Sequence, residues 1–258
     1  MNSVLTEQAL FVAQWMKPTL LPVLENLQRL HLAVELTARD PHHPLDTPGN
    51  VLNLNIRRLL NYTKNLKWLR INFQHRRGQT TDLFLRWLAL PALAHVDKLA
   101  APACNVDLLP VDLPALERLD LGSTSVSLRI LRSVIMKWAS TLKSLSLWSI
   151  DIQSDSSMAW AKLFADLSQN EAVSIKHITV GRIGLSQQRW GQPAFSRPYV
   201  LFKAQDADKP AQSMVELRGT AAEIFAELAR DVIDWPPRAD HGQADIASSW
   251  EDSDSNDD

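Results

Sequence analysis

Leucine recurs in one spacing, L-x-x-L-x-L, at Leu27-Leu30-Leu32, Leu85-Leu88-Leu90, Leu116-Leu119-Leu121 and Leu142-Leu145-Leu147. With 39 leucines in the chain, roughly one such triplet is expected by chance, so four is an excess that constrains the fold. Relaxed copies lie at Leu66-Leu69-Ile71 and Ile175-Ile178-Val180. Context separates the units. ENLQRLHL, KNLKWLRI, PALERLDL and STLKSLSL each follow a short helix-like stretch, whereas Leu85–Leu90 lies inside a helical pattern, TDLFLRWLAL, and is set aside. LPAL recurs at Leu90–Leu93 and Leu113–Leu116, so LPALAHVDKL reads as a degenerate unit.

The last two leucines of each unit alternate as on a strand, pointing inward while their neighbours point out. One strand–helix unit cannot bury its own apolar edge, but stacked units share a continuous core. The expected fold is therefore α/β: an irregular leucine-rich-repeat solenoid, with parallel strands on the concave side and helices on the convex side. Unit starts at residues 27, 66, 93, 116, 142 and 175 give steps of 39, 27, 23, 26 and 33. The middle steps suit a leucine-rich repeat and the outer ones require insertions. Helices are expected over Asn50–Asn61, Ser127–Ser140 and Asp155–Ser168, the last with Ser154 or Asp155 as its cap. A helical bundle or coiled coil is the alternative, and the β-branched endings SLWSIDI and KHITV argue against it.

The organisation expected is a solenoid over residues 1–185 and an irregular segment with short strands and a capping helix over 186–237. An acidic, disordered tail over 238–258 completes it. Within the middle segment, Pro198–Ala204 and Met214–Leu217 read as strands. Thr220-Ala221-Ala222-Glu223 fits a capping box that opens a helix to about Val232, with Ile224, Phe225, Leu228 and Val232 closing the end of the core. From Ala239 to Asp258 there are seven acids and no Lys or Arg, which leaves about +5 on the rest of a chain whose formal charge is -2. That near-neutral total gives no bulk case for nucleic acid or membrane. Residues 1–16 carry no Lys or Arg and no apolar run reaches 18 residues, so a cytoplasmic or nuclear protein without a membrane span is expected.

At NLKWLRINF, LPALERLDLGSTSVS, STLKSLSLWSIDI and EIFAELARDVIDWP the chain resembles the leucine-rich-repeat region of fungal F-box-type proteins, over about residues 4–237. The resemblance implies a substrate-recruiting subunit of a ubiquitin ligase, its repeats gripping the target. It departs from the family at the helical segment that docks the adaptor Skp1. Leu21–Leu27 looks like the opening of an F-box but runs straight into the first strand, so no F-box is readable and Skp1 is not assigned as a partner.

Catalytic and cofactor patterns are missing from the sequence: there is no phosphate-binding glycine loop, no H-E-x-x-H and no G-x-S-x-G. No cofactor is expected, and the chain reads as a non-enzyme. His42-His43 with Asp40 or Asp46 form a proline-flanked loop better read as solvated than as a metal site, and Cys104 stands without a partner motif. Protein recognition is the expected function. The residues flanking the inward leucines project to the concave face and form the candidate partner surface: Arg29, His31, Trp68, Arg70, Asn72, Asp97, Arg118, Asp120, Ser144, Ser146, Trp148 and His177, with His95 and Thr179 in the same rows. Trp68 and Trp148 either meet the partner or fold back onto a neighbouring unit. The alternative function is nucleic-acid binding by the basic segment 57–77, where Arg57, Arg58, Lys64, Lys67, Arg70, Arg76 and Arg77 interleave with Tyr62, Trp68 and Phe73. Against it, the arginines of the helix and those of the strand should face opposite ways.

Overall fold

A computed structural model describes residues 5–36, 53–73, 79–91, 109–154, 156–186, 200–203 and 210–233. The fold is mixed α/β, built on one mostly parallel sheet with helices packed on it. In chain order come β1 (Leu5–Thr6), α1 (Lys17–Glu25), β2 (Arg29–Glu35), α2 (Leu54–Tyr62), β3 (Trp68–Phe73) and α3 (Gln79–Ala89). After these come β4 (Arg118–Ser127), α4 (Leu128–Lys137), β5 (Ser144–Gln153), α5 (Ala159–Ser168), β6 (His177–Gly181) and β7 (Gly184–Ser186). The chain ends its described part in β8 (Leu201–Phe202), β9 (Met214–Arg218), α6 (Ala221–Asp231) and β10 (Val232–Ile233).

Strands pair in the order β1-β2-β3-β4-β5-β6-β9, sequential and parallel until β9 closes the edge antiparallel to β6. The register aligns the strands residue for residue: Arg29, Trp68, Arg118, Ser144 and His177 are Cα partners across five strands, and His31, Arg70, Asp120, Ser146 and Thr179 form the next row. Each strand is entered the same way. The carbonyl of Gln28 accepts from the amides of Lys67 and Trp68, and those of Lys67, Glu117 and Lys143 repeat the double acceptance on the next strand. The alternation then buries Leu69 and Ile71, Leu119 and Leu121, Leu145 and Leu147, Ile178 and Val180 against the helices.

β4, β5 and the β6–β7 pair match further. Five residues past each row start, Ser123, Ser149 and Arg182 take positive φ, at 56°, 58° and 51°. A non-glycine residue there costs on the order of 1 kcal/mol, and the cost recurs at one height in adjacent strands. The kink swings the next residues back inward, so Thr124 and Val126, Ile150 and Ile152, Ile183 and Leu185 are all buried. β6 and β7 are thus the two halves of one kinked strand, both pairing with β5.

The helices lie in a row on one side, α3 against α4, α4 against α5 and α5 against α6. Phe164 of α5 stacks on Phe225 of α6 at 6.3 Å. The expected capping box is present: Thr220 accepts from the Glu223 amide and the Glu223 carboxylate accepts from the Thr220 amide at 3.0 Å. Ile224, Phe225 and Leu228 are buried as expected. Met214–Arg218 is a strand, and Leu201–Phe202 is the short strand expected within Pro198–Ala204.

Two expectations fail. The strand expected from LPALAHVDKL is not inserted between β3 and β4, because those two strands bond directly to each other. A row carrying His95 and Asp97 between them is excluded, although those residues themselves lie outside the described ones. Leu90, the first residue of LPAL, follows the end of helix α3 and is exposed, whereas Leu85 and Leu88 inside the helix are fully buried, as the helical pattern there predicts. Nor does Ser154 cap α5. Its N-cap is Met158, without a side-chain bond, while the Ser154 hydroxyl accepts from the Ser156 amide and the Ser156 hydroxyl from the Met158 amide. Asp155 lies outside the described residues.

Candidate recognition surface

The sheet face opposite the helices is covered by no described element, and the register writes three rows across it. The first runs Arg29, Trp68, Arg118, Ser144, His177, Arg218. The second runs His31, Arg70, Asp120, Ser146, Thr179, Glu216, and the third Ala33, Asn72, Gly122, Trp148, Gly181, Met214. Eleven of the twelve sequence-derived candidates therefore share one face; the twelfth, Asp97, lies outside the described residues. Glu216, Arg218 and Met214 were missed because β9 carries no leucine triplet and runs antiparallel. Its alternation, Met-Val-Glu-Leu-Arg with Leu217 buried, is the signal that marks the face.

Trp68 organises the β2–β4 end. The Arg118 guanidinium stacks 4.0 Å over its ring, the Arg29 guanidinium stands 5.7 Å away, and His31 meets it edge-on at 4.3 Å. Its indole Nε1 donates to Asp120 Oδ2 at 3.0 Å. Asp120 also accepts two bonds from Arg118, Nε at 3.0 Å and Nη2 at 3.1 Å. Three charge-assisted or indole bonds make this acid affordable at 6% exposure. Asp120 is thus a fixing residue beneath the surface rather than a contact open to a partner. Arg70 stands exposed beside it.

Trp148 organises the other end. Its ring lies across Gly181 on the neighbouring strand, where an added Cβ would fall inside the indole, and the Arg182 guanidinium stands 5.6 Å from the ring. With 37% of its surface exposed it does both things the sequence left open, packing on a neighbour and facing solvent. The Asn72 side chain lies over Gly122 in the same manner. Glycine in the third row is what lets two larger side chains lie flat.

Between these ends Ser144 Oγ and His177 Nδ1 are 3.1 Å apart, and His177 Nε2 and Glu216 Oε1 are 2.9 Å apart. The hydrogen bonds from His177 and Arg218 hold the Glu216 carboxyl below its ordinary range. The connectivity is that of a hydroxyl, a base and an orienting acid. The chain of bonds ties β5, β6 and β9 together on the open side.

The basic segment divides as expected. Arg57 is buried on the helix side, its guanidinium 5.2 Å from the Trp87 ring, and Phe73 is buried, while Trp68 and Arg70 lie on the open face. Arg76 and Arg77 lie outside the described residues, as do His42, His43, Asp40, Asp46 and Cys104. Among the described residues no cluster of three His, Cys, Asp or Glu is placed to hold a metal, and no helix is long and apolar enough to cross a membrane. On the helix side a cleft of about 450 Å3 is lined by Asp112, Ser133, Lys137 and Thr141 among others. Burial lowers Lys137 to about 8 there, against the opposing pull of Asp112, and its ammonium donates to the Leu88 carbonyl at 2.9 Å. Compared with protein-family models, curated proteins and solved structures, the chain matches none.

Proposed function

We propose that this chain is a leucine-rich-repeat solenoid whose open sheet face recognises a protein partner without catalysis. The observation that carries the reading is the register: five parallel strands set two tryptophans, four arginines and two histidines into adjacent rows on one uncovered face, counting Arg218 from β9. Supporting the solenoid are the repeated double-acceptor carbonyls at each strand start and the kinks at Ser123, Ser149 and Arg182. Trp and Arg are the side chains that most often dominate the energy of a protein interface, and here both tryptophans are already held in place, so little side-chain freedom is lost on binding. Recruitment of a ubiquitination substrate is the form of this function that the resemblance to F-box-type proteins implies, and it rests on that resemblance alone.

The test is capture from cell lysate by the wild-type chain and by Arg70→Glu and Trp148→Ala chains, with and without nuclease. Partners that survive nuclease and are lost with both substitutions support the reading. Partners that bind all three chains equally, or that vanish with nuclease, overturn it. Co-capture of Skp1 and a cullin would extend it to a ligase.

A further inference from the structure

One corner of the open face carries charge that no described residue on the face balances. Arg29 and Arg70 stand on adjacent strands, and neither takes part in an ion pair between described residues. The nearby acid, Asp120, is committed to Arg118 and Trp68. Glu216 is committed to His177 and Arg218 at the opposite edge. Glu35, the acid of β2, lies six residues from Arg29, about 20 Å along the strand. The same chain supplies a segment of opposite sign, with Asp240, Asp245, Glu251, Asp252, Asp254, Asp257 and Asp258 and no Lys or Arg after Arg238.

The two are within reach of each other. Ile233, the last described residue, is in β10 beside β8, and Phe202 of β8 bridges to Gln212 just before β9. The chain therefore leaves the described part near the β9 edge. From β9 to β2 is five strand spacings, about 24 Å. Twelve extended residues, as far as Asp245, cover up to about 40 Å, so the acids from 245 onward reach the corner. Tethering gives them an effective concentration on the order of millimolar, enough to fill a weak electrostatic site.

We propose that residues 240–258 occupy the Arg29–Trp68–Arg70 corner in cis and compete there with the partner. The inference rests on the open face being the recognition surface and adds its regulation: the face is screened until a more strongly acidic or better-fitting protein segment displaces the tail. Competition of this kind discriminates against weak, non-specific binders, which cannot outbid a tethered occupant.

Arginine-selective dicarbonyl labelling, read residue by residue by mass spectrometry, tests it on the full chain. The comparison is a full chain in which the seven acids become Asn or Gln. At about 50 mM salt, Arg29 and Arg70 are expected to label roughly threefold faster in the neutralised chain, and the ratio is expected to approach one at about 0.5 M salt. Arg129 and Arg132 of α4, on the helix side, serve as the internal reference and should not change. Equal labelling of Arg29 and Arg70 in the two chains overturns the proposal. Protection that grows with protein concentration also overturns it, because the occupant is then the tail of a second copy. The capture experiment keeps the two readings apart. If Arg70→Glu loses the partner while labelling is unchanged, only the tail contact fails. If labelling changes but no partner depends on the face, recognition fails and the contact stands.

Discussion

The indole of Trp68 on β3 is hydrogen-bonded at 3.0 Å to Asp120 on β4, an acid that also takes both bonds of the Arg118 fork. One carboxylate thus locks an aromatic ring on the open face to the strand beside it. Replacing Asp120 with Ala leaves the indole N–H and the guanidinium without their acceptor and is expected to cost about 1–3 kcal/mol in urea unfolding. Trp68→Phe keeps the ring but not the donor. If the bond matters, Trp68→Phe and Asp120→Ala together cost less than the sum of the two. Strict additivity would mean that the contact contributes nothing.

Gly181 is the floor on which Trp148 lies. In Gly181→Ala the new methyl must displace the ring. We expect a loss of about 1–2 kcal/mol and a Trp148 side chain moved outward, visible as a shift of its resonance in 5-fluorotryptophan 19F NMR. Combining the change with Trp148→Ala should remove most of the loss. A Gly181→Ala chain with an unmoved Trp148 resonance would contradict the placement.

Lys137 makes a pH-dependent contribution of definite sign. Its pKa falls from the ordinary 10.5 to about 8 because burial disfavours the charged form. The unfolded chain therefore binds more protons between about pH 8 and 10.5, and stability through this group rises with pH across that window. Below pH 8 the ammonium is held at full cost. Lys137→Met is accordingly expected to stabilise the protein by about 1–2 kcal/mol at pH 7, after discounting for the partial exposure of the site and the lost bond to Leu88. That advantage should shrink towards pH 10.5, as measured by urea unfolding at the two pH values. A constant difference would show that the lysine is not perturbed.

Thr124 follows the kink at Ser123 and is fully buried, with no hydrogen-bond partner for its hydroxyl among the described residues. The positions that follow the same kink on β5 and after β6 are Ile150 and Ile183, both apolar and buried. Thr124→Val keeps the shape and removes the unsatisfied group, so it is expected to raise stability by about 1 kcal/mol. A loss of stability would reveal a bond that the hydroxyl makes.

The strand rows were legible because the triplet fixes parity: once Leu145 and Leu147 point inward, Ser144, Ser146 and Trp148 must point out, and parallel stacking aligns them with the rows on either side. What the triplet does not encode was missed or misread. The strict triplet Leu85-Leu88-Leu90 belongs to no strand, since three- and four-residue spacings serve a helix face equally well. Glu216 and Arg218 escaped because an antiparallel closing strand needs no leucine triplet. The burial of Asp120 could not be read from its position in a solvent-facing row; it follows from the donors that Trp68 and Arg118 bring to it, which only the register reveals. The capping box at Thr220 was readable because its chemistry is local to four residues.

The two ends of the sheet are finished unequally. At the C-terminal end a capped helix buries Ile224, Phe225 and Leu228 beside α5, while at the other end α1 buries no residue fully and Phe11, Trp15 and Val23 are exposed. Each parallel strand bonds only to its neighbours, so stability passes along the sheet from strand to strand. The molecule should therefore melt like a zipper opened from one end. Residues 5–36 fray first and exchange their amide hydrogens fastest, and the β4–β5–β6 rungs hold theirs until global unfolding.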